Sequence, residues 1–588
     1  MKKKKDVLFI IALFVISLYR LKLLKESSWE LILSTGYDDI MQMKNAVTMT
    51  AGDWLGGSYF YTSMAKNVGY PLFLAIGQWL NISYGFLYGA VIIFASLIFV
   101  KAISPIFSSR KLLLLIYVII LFVPINHEAF YRIYRNALVP WFFLLVLSCM
   151  IALFIRHKEK VSKQIPWSIG AMASIMYFWI LREDSIWIFP FVFTASIMII
   201  IVNLPLVWRQ RREFIHKTLL ALLPLSGIIA VSIIISAINY SHYGIWAMND
   251  RTQTYAPKAM SLIYRIDDGR TKDKDVWASR ESMRLAINES PTLRKIGDRV
   301  LASYNLWAGG EELELKGDIS QWSLRFAVEE EGYYHGNARK TNTFYKKVYE
   351  ELTEAFRSGK LHKKPGIYLS SQTGAFHISD FLQSTYMALA LSRKISNYCN
   401  TQVSDGYLTY QDFSETDLTF FENILNTDLP RTSNQLTNLD VNKKYNDYDL
   451  NLTTFNNISQ KNNEYILSNR KKAQKKENLI ATIYQIFSYI CLPLSFLGYY
   501  FLILDIVKQR NLQQSMTLFL IMTGAALSAF LNIFLVCLFS RWITTDLNSI
   551  IYGFYASAAY LLYTITMLIG TIAVAKKLRE SIITLTDV

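Results

Sequence analysis

The chain has 588 residues, 52% of them hydrophobic and only 18% charged, with a formal net charge of +16. The charged share is well below the roughly one quarter usual in soluble proteins, and the apolar residues cluster in uncharged runs of about twenty, the length that crosses about 30 Å of hydrocarbon. That excludes an ordinary soluble domain. It leaves a mainly α, polytopic helical membrane protein. Much of the positive excess sits in short loops between apolar runs, where the positive-inside rule accounts for it. With no basic-aromatic motif present, a nucleic-acid partner is excluded.

In chain order, Met1 to Asp6 followed by Val7 to Tyr19 has the form of a signal peptide. No small-residue cleavage site follows, so it reads as a retained first helix. Ten spans are expected, at about 7–24, 84–103, 112–125, 137–155, 165–181, 185–204, 218–240, 479–505, 514–538 and 549–574. The segment 69–80 is too short to cross and reads as interfacial or re-entrant. Residues 1–240 thus form a transmembrane module with a first outer loop over 25–83. Residues 241–478 form a mostly helical extracytoplasmic domain, and 479–588 carry the last helices. Lys2 to Lys5, Arg110, Lys111, Arg156, Lys158, Arg211, Arg212, Lys508 and Lys576 fall on one side, assigned to the cytoplasm. Arg20, Lys22 and Lys25, at the outer end of the first span, run against that rule.

Four cysteines occur, and Cys399 is alone in the large polar region. No structural disulfide and no Cys/His metal spacing is expected. The stretch 431–478 is Asn-rich and reads as a loosely ordered return to the membrane.

Charges are almost absent from the middles of the later spans and gather at their outer ends. Asp38 and Asp39 follow the first span. A carboxylate there could take a proton from a sugar hydroxyl; equally, it could cap a helix over Ile40 to Ala51. In His127-Glu128-Ala129-Phe130-Tyr131-Arg132-Ile133-Tyr134-Arg135, a helix would set Arg132 and Arg135 on one face, able to grip one phosphate. The alternative is a headgroup-anchoring loop, with His127 an interfacial polar residue. Arg182, Glu183 and Asp184 make a charged turn between two spans: a substrate site, or a turn that simply meets water. Lys66 could neutralise a phosphate or snorkel. Asp38, Asp39, Glu183 and Asp184 have the chemistry to hold Mg²⁺ or Mn²⁺ if they converge; no cofactor is otherwise implied.

Gly36-Tyr37-Asp38-Asp39, then Gly52-Asp53-Trp54-Leu55-Gly56, then Lys66-Asn67-Val68-Gly69-Tyr70-Pro71, resembles the first outer loop of GT-C glycosyltransferases. Arg182-Glu183-Asp184-Ser185-Ile186-Trp187 is similar to the short charged turn of their bacterial, mannosyltransferase-like members. No Trp-Trp-Asp signature of oligosaccharyltransferases occurs. The resemblance covers about residues 7–200. It implies a polyprenyl-phosphate-linked sugar donor and an acceptor that is a cell-wall glycan, teichoic-type polymer or lipid-linked saccharide. It also implies an inverting transfer with Asp38 as base beside Asp39, in a cell membrane with its active face outside. Richness in Lys, Ile, Asn and Tyr points to a low-GC bacterium. A flippase or transporter of lipid-linked saccharides and a non-catalytic envelope assembly protein are the rival readings. Transporters tend to place ionisable groups near the midplane or to carry repeated halves, and neither is visible here.

Overall fold

The structure is a computed structural model that describes residues 2–32, 38–269, 273–336, 338–404, 413–431, 452–510 and 512–586. Gly36 and Tyr37 of the loop motif, and much of the Asn-rich stretch, lie outside them. Among the described residues the fold is helical, with three isolated bridges and no strand. Nine helices among the described residues are long and apolar enough to cross a membrane, so the protein is a multi-pass membrane protein. Their outward faces carry exposed large apolar side chains such as Phe14, Ile229 and Phe496. On a soluble surface such a belt would be an aggregation hazard; around a bundle it faces lipid.

The first nine helices run α1 (Lys2–Lys25), α2 (Asp39–Thr50), α3 (Gly69–Trp79), α4 (Tyr84–Ile103), α5 (Arg110–Leu121), α6 (His127–Tyr131), α7 (Val139–Ile155), α8 (Val161–Leu181) and α9 (Phe189–Asn203). The expected span 112–125 departs from a continuous helix. α5 has 12 residues, about 18 Å, and ends in the non-helical stretch 122–126. Among the described residues α5 is not one of the helices long enough to cross by itself; it runs alongside α1. Arg110 pairs with Asp6 at the start of α1 at 3.0 Å, while Glu30, just past its end, bonds the Tyr131 carbonyl at 2.9 Å. Non-helical backbone is tolerated at that depth because Val123, Ile125 and Asn126 are buried in protein. α3, only 11 residues long, does not cross; it packs between α2 and α8.

The last expected span also shifts. The chain breaks at Ala556 into a short helix, Ile550–Tyr555, and a long one, Ser557–Thr586, whose crossing part is Ser557–Glu580. That break delivers Phe554 and Tyr555 to the end of the bundle. A 56-residue helix, Leu452–Val507, is about 84 Å long and projects beyond the layer. It packs on Ser557–Thr586 where Gly498 meets Gly570; a Cβ on Gly498 would stand 2.1 Å from the Gly570 carbonyl oxygen.

Two cores organise the rest. The larger joins the crossing helices with the segments 387–403 and 418–429. The smaller joins Met41 to Val68 with Ile245 to Leu361. The polar segment 241–478 therefore packs in two ways: its first part closes over the loop between α2 and α3, and its later part joins the core of the bundle.

Candidate functional site

Every acid singled out from the sequence at the Asp38 end holds a basic partner, and the partners come from different elements. Asp38 stands at the N-cap position of α2 but makes no side-chain capping bond. Its carboxylate instead meets Lys66 Nζ at 2.7 Å and accepts from the Tyr134 hydroxyl at 3.2 Å. Capping thus does not explain Asp38. Asp39, next along, is fully buried, and both its oxygens accept from the Arg132 fork at 2.8 Å. A bidentate, charge-assisted pair of this kind fixes geometry as well as charge.

Arg132 and Arg135 do not share a helix face, contrary to the sequence expectation. α6 ends at Tyr131, and Arg132 is already extended, because its backbone runs beside Glu30 as a parallel bridge. The two guanidiniums diverge. Arg132 takes Asp39 and also Glu128 at 2.8 Å, whereas Arg135 takes both oxygens of Glu183 at 2.6 and 2.8 Å. Between them lies the Tyr134 ring, 5.1 Å from Arg132 Cζ and 5.3 Å from Arg135 Cζ, a double cation–π contact.

Arg182 Nε donates to Asp184 at 2.7 Å, and a terminal nitrogen donates to Asn136 Oδ1 at 2.8 Å. Its guanidinium covers Tyr555. Asn67 N–H donates to Glu183 at 2.6 Å. That contact depends on Gly69, where a Cβ would stand 2.6 Å from the Ile180 carbonyl oxygen; only glycine lets the start of α3 lie this close to the end of α8. His127 is not brought to Asp38. Its backbone N–H and its Nδ1 both bond the Asn400 carbonyl, at 2.8 and 3.0 Å, tying α6 to the later polar segment.

Lys66 is buried rather than snorkelling. Its loop is clamped from the other core. Asp250 N–H donates to the Met64 carbonyl, Asn249 to Asn67 and Arg325 to the Tyr61 carbonyl, at 2.8, 2.8 and 3.0 Å. One indole, Trp322, faces three cations: Arg251 at 5.0 Å, Arg325 at 5.8 Å and Lys66 at 5.9 Å.

Electrostatics follow from the packing. Burial would raise the Asp38 carboxyl, but the Lys66 ammonium, with Arg135 and Arg132 behind it, outweighs this and holds it well below the usual carboxylate range. Burial also opposes charge on Glu183, yet Arg135, Lys66, Arg251 and the Asn67 N–H bring it down to about 2. Burial lowers Lys66 from its usual 10.5, against the pull of Asp38. Of the four acids expected to converge, Asp38 is 39% and Asp184 51% exposed; Glu183 is 9% and Asp39 0%. Asp38 is therefore the member of the doublet that can reach a substrate. No cluster of three or more carboxylate, histidine or cysteine ligands forms among the described residues. The four acids are divided among four basic partners and do not converge on one point.

Sequence reasoning missed Tyr134, Trp322, Arg251, Asn67, Asn136, Phe554 and Tyr555. Tyr134 had a visible signal: it stands between the two arginines already chosen. No family model, curated protein or solved structure matches the chain.

Proposed function

We propose that this protein is a membrane glycosyltransferase that moves a sugar from a polyprenyl-phosphate donor to an acceptor hydroxyl at the outer face, with inversion at the anomeric carbon. The observation that carries this reading is Asp38. It is a partly exposed carboxylate, free of any capping role, held ionised by a buried lysine at the rim of a helical bundle.

In the reaction the acceptor oxygen bonds to the anomeric carbon as the bond from that carbon to the phosphate oxygen breaks. The hydroxyl proton passes to Asp38, and the electron pair leaves with the polyprenyl phosphate. Lys66 is the cation best placed to meet that phosphate, because it lies 2.7 Å from the base itself, whereas Arg132 and Arg135 are committed to buried carboxylates. Preorganised positive charge of this kind stabilises the transition state. An arriving phosphate would also compete with Asp38 for Lys66. Losing part of that ammonium raises the carboxyl toward a useful base strength, so donor binding would itself activate the base.

The acceptor would be a wall glycan, teichoic-type polymer or lipid-linked saccharide. Asp38→Asn in cells should abolish one sugar from the surface polymers while leaving the protein level unchanged. Unaltered polymers would favour an assembly protein. Labelled lipid-linked saccharide crossing proteoliposomes without transfer would favour a flippase. Cytosolic labelling of a cysteine at position 38 would defeat the outer-face assignment.

A further inference from the structure

At the opposite end of the bundle, α4, α7 and α8 enclose a cavity of about 460 Å³. That lies in the range of small-ligand pockets and well above an engineered apolar void that admits benzene, about 150 Å³. Its depth is apolar, walled by Phe94, Ile98, Leu145 and Trp167. Phe94 is exposed on the outer surface of a crossing helix, so the cavity opens sideways to the surroundings of the bundle. Its mouth is basic, with Lys101, Arg156 and Lys163 set against the single carboxylate Glu159.

Arg156 is a built element of this mouth. It is 9% exposed and lies over the Trp167 ring at 4.8 Å. Two of its nitrogens donate to the Ala102 and Lys101 carbonyls, each at 2.8 Å, at the C-terminal end of α4. Those bonds use two of its five N–H donors and lock the plane of the fork. Gly170 on α8 contributes by lacking a side chain. A Cβ there would reach 3.1 Å from Cys149 Sγ, and the missing group leaves space between α7 and α8. From Lys101 to Phe94 is seven residues of helix, about 10 Å, so the basic mouth sits at the end of the layer and the apolar depth within it.

We propose that this cavity is a binding site for an anionic glycerophospholipid. The phosphate lies against Lys101, Arg156 and Lys163, and the upper part of one acyl chain lies along Trp167, Ile98 and Phe94. A free phosphate would leave the apolar depth empty, and a zwitterionic lipid would bring its own cation to a mouth that already holds a net positive charge. Basic pockets between membrane helices recognise anionic headgroups on this physical ground. The site is independent of the Asp38 reading.

The test uses the full-length protein in nanodiscs of phosphatidylcholine doped with acyl-brominated phosphatidylglycerol or acyl-brominated phosphatidylcholine. The Trp167 fluorescence is isolated by subtracting the spectrum of Trp167→Phe. At equal mole fraction the brominated anionic lipid should quench Trp167 several-fold more than the zwitterionic one. The double variant Lys101→Gln/Lys163→Gln should remove that preference, and inorganic phosphate should not compete. Lys101 and Lys163 are exposed, and an unchanged elution profile and unchanged quenching of the other tryptophans would show that the variant is folded. Equal quenching by both lipids would mean boundary lipid only and would overturn the proposal. Preference surviving in the double variant, or displacement by inorganic phosphate, would overturn it as well.

Discussion

The two ends of the helical bundle use the same cations to opposite purposes. At the basic end, Arg156 bonds only helix-terminal carbonyls, those of Ala102 and Lys101, and Lys217 bonds the His157 carbonyl beside its own-helix partner Glu213, an arrangement that complements helix dipoles while leaving a charged mouth open. At the Asp38 end, Lys66, Arg132 and Arg135 are each matched to a carboxylate distant in sequence, and Arg182 to Asp184 of its own turn. The first arrangement anchors helices. The second holds loops that are distant in sequence in one fixed geometry, as a reacting site requires. Counting charges at helix ends registers both ends alike; only the partners separate them. Arg20 makes the same point. It breaks the positive-inside pattern because it is a buried partner of Glu477, at 2.6 Å, and packs on Phe122 and Phe130.

The comparison is broken most severely by removing one member of a fully buried pair. Arg132→Met leaves the buried Asp39 carboxylate without its guanidinium, and stability should fall by about 3–5 kcal/mol, read as a large drop in detergent melting temperature. The double variant Arg132→Met/Asp39→Leu should recover much of that loss, because the buried carboxylate is gone and the one charge left unpaired, Glu128, reaches solvent. Failure to recover would mean that the pair does more than hold α2 against the Arg132 segment. Asp38→Asn is the contrasting case one residue away. Asp38→Asn leaves the buried Lys66 ammonium without its carboxylate, so the melting temperature should fall, though less than in Arg132→Met because Asp38 is partly exposed, while transfer from a polyprenyl-phosphate sugar should fall by about 10²–10⁴-fold. Retained transfer would remove Asp38 from the chemistry.

Much of the fold was legible because hydrophobic length is a one-dimensional property. Nine of the ten expected spans appear among the described residues as helices long and apolar enough to cross, and the short α3 and a helical polar region also follow from runs of residues and their punctuation. Two details were not. α5 stops at Leu121 although the apolar character continues to Ile125, because burial in protein relieves the need for continuous helix. The break at Ala556 carries no proline or glycine at that position; it follows from Phe554 stacking on Tyr134, at 5.8 Å, and Tyr555 lying under Arg182. At the site, the residue types were legible and the pairing was not. A three-residue spacing suggested one helix face for Arg132 and Arg135, and the bridge with Glu30 overrode it. Trp322 and Arg251 come from a segment with no recognisable motif, and only the tertiary clamp on the loop of Lys66 brings them in.

Acidification sharpens the comparison by loosening one end. Glu183 falls from 4.5 to about 2 on folding. A carboxyl depressed in the folded state adds stability that is fully present above 4.5 and is lost as pH falls toward 2. The shift corresponds to roughly 3 kcal/mol. Melting temperature should therefore decline between pH 5 and 2 in the wild type, and less steeply in Glu183→Gln, which has nothing to protonate there. Parallel declines would show that the Arg135 pair does not contribute in this window.

The smallest effect isolates the link between Lys66 and Asp38. If Lys66 holds the Asp38 carboxyl low, then Lys66→Met removes the largest favourable interaction of its charged form, and the Asp38 carboxyl rises. The acid limb of the pH profile of kcat/KM reports protonation of the base in the free enzyme. In the wild type that limb should lie far below neutrality; in Lys66→Met it should move upward by roughly one pH unit or more. The Tyr134 hydroxyl still donates to Asp38 in the variant, so the rise is limited and the base stays positioned. Tyr134→Phe alone should shift the limb less than Lys66→Met, since a neutral hydroxyl at 3.2 Å stabilises a carboxylate less than an ammonium at 2.7 Å. A limb that stays in place in Lys66→Met while turnover collapses would mean that Lys66 serves the leaving phosphate alone. The lysine would then be an electrostatic partner of the donor, with no role in setting the strength of the base.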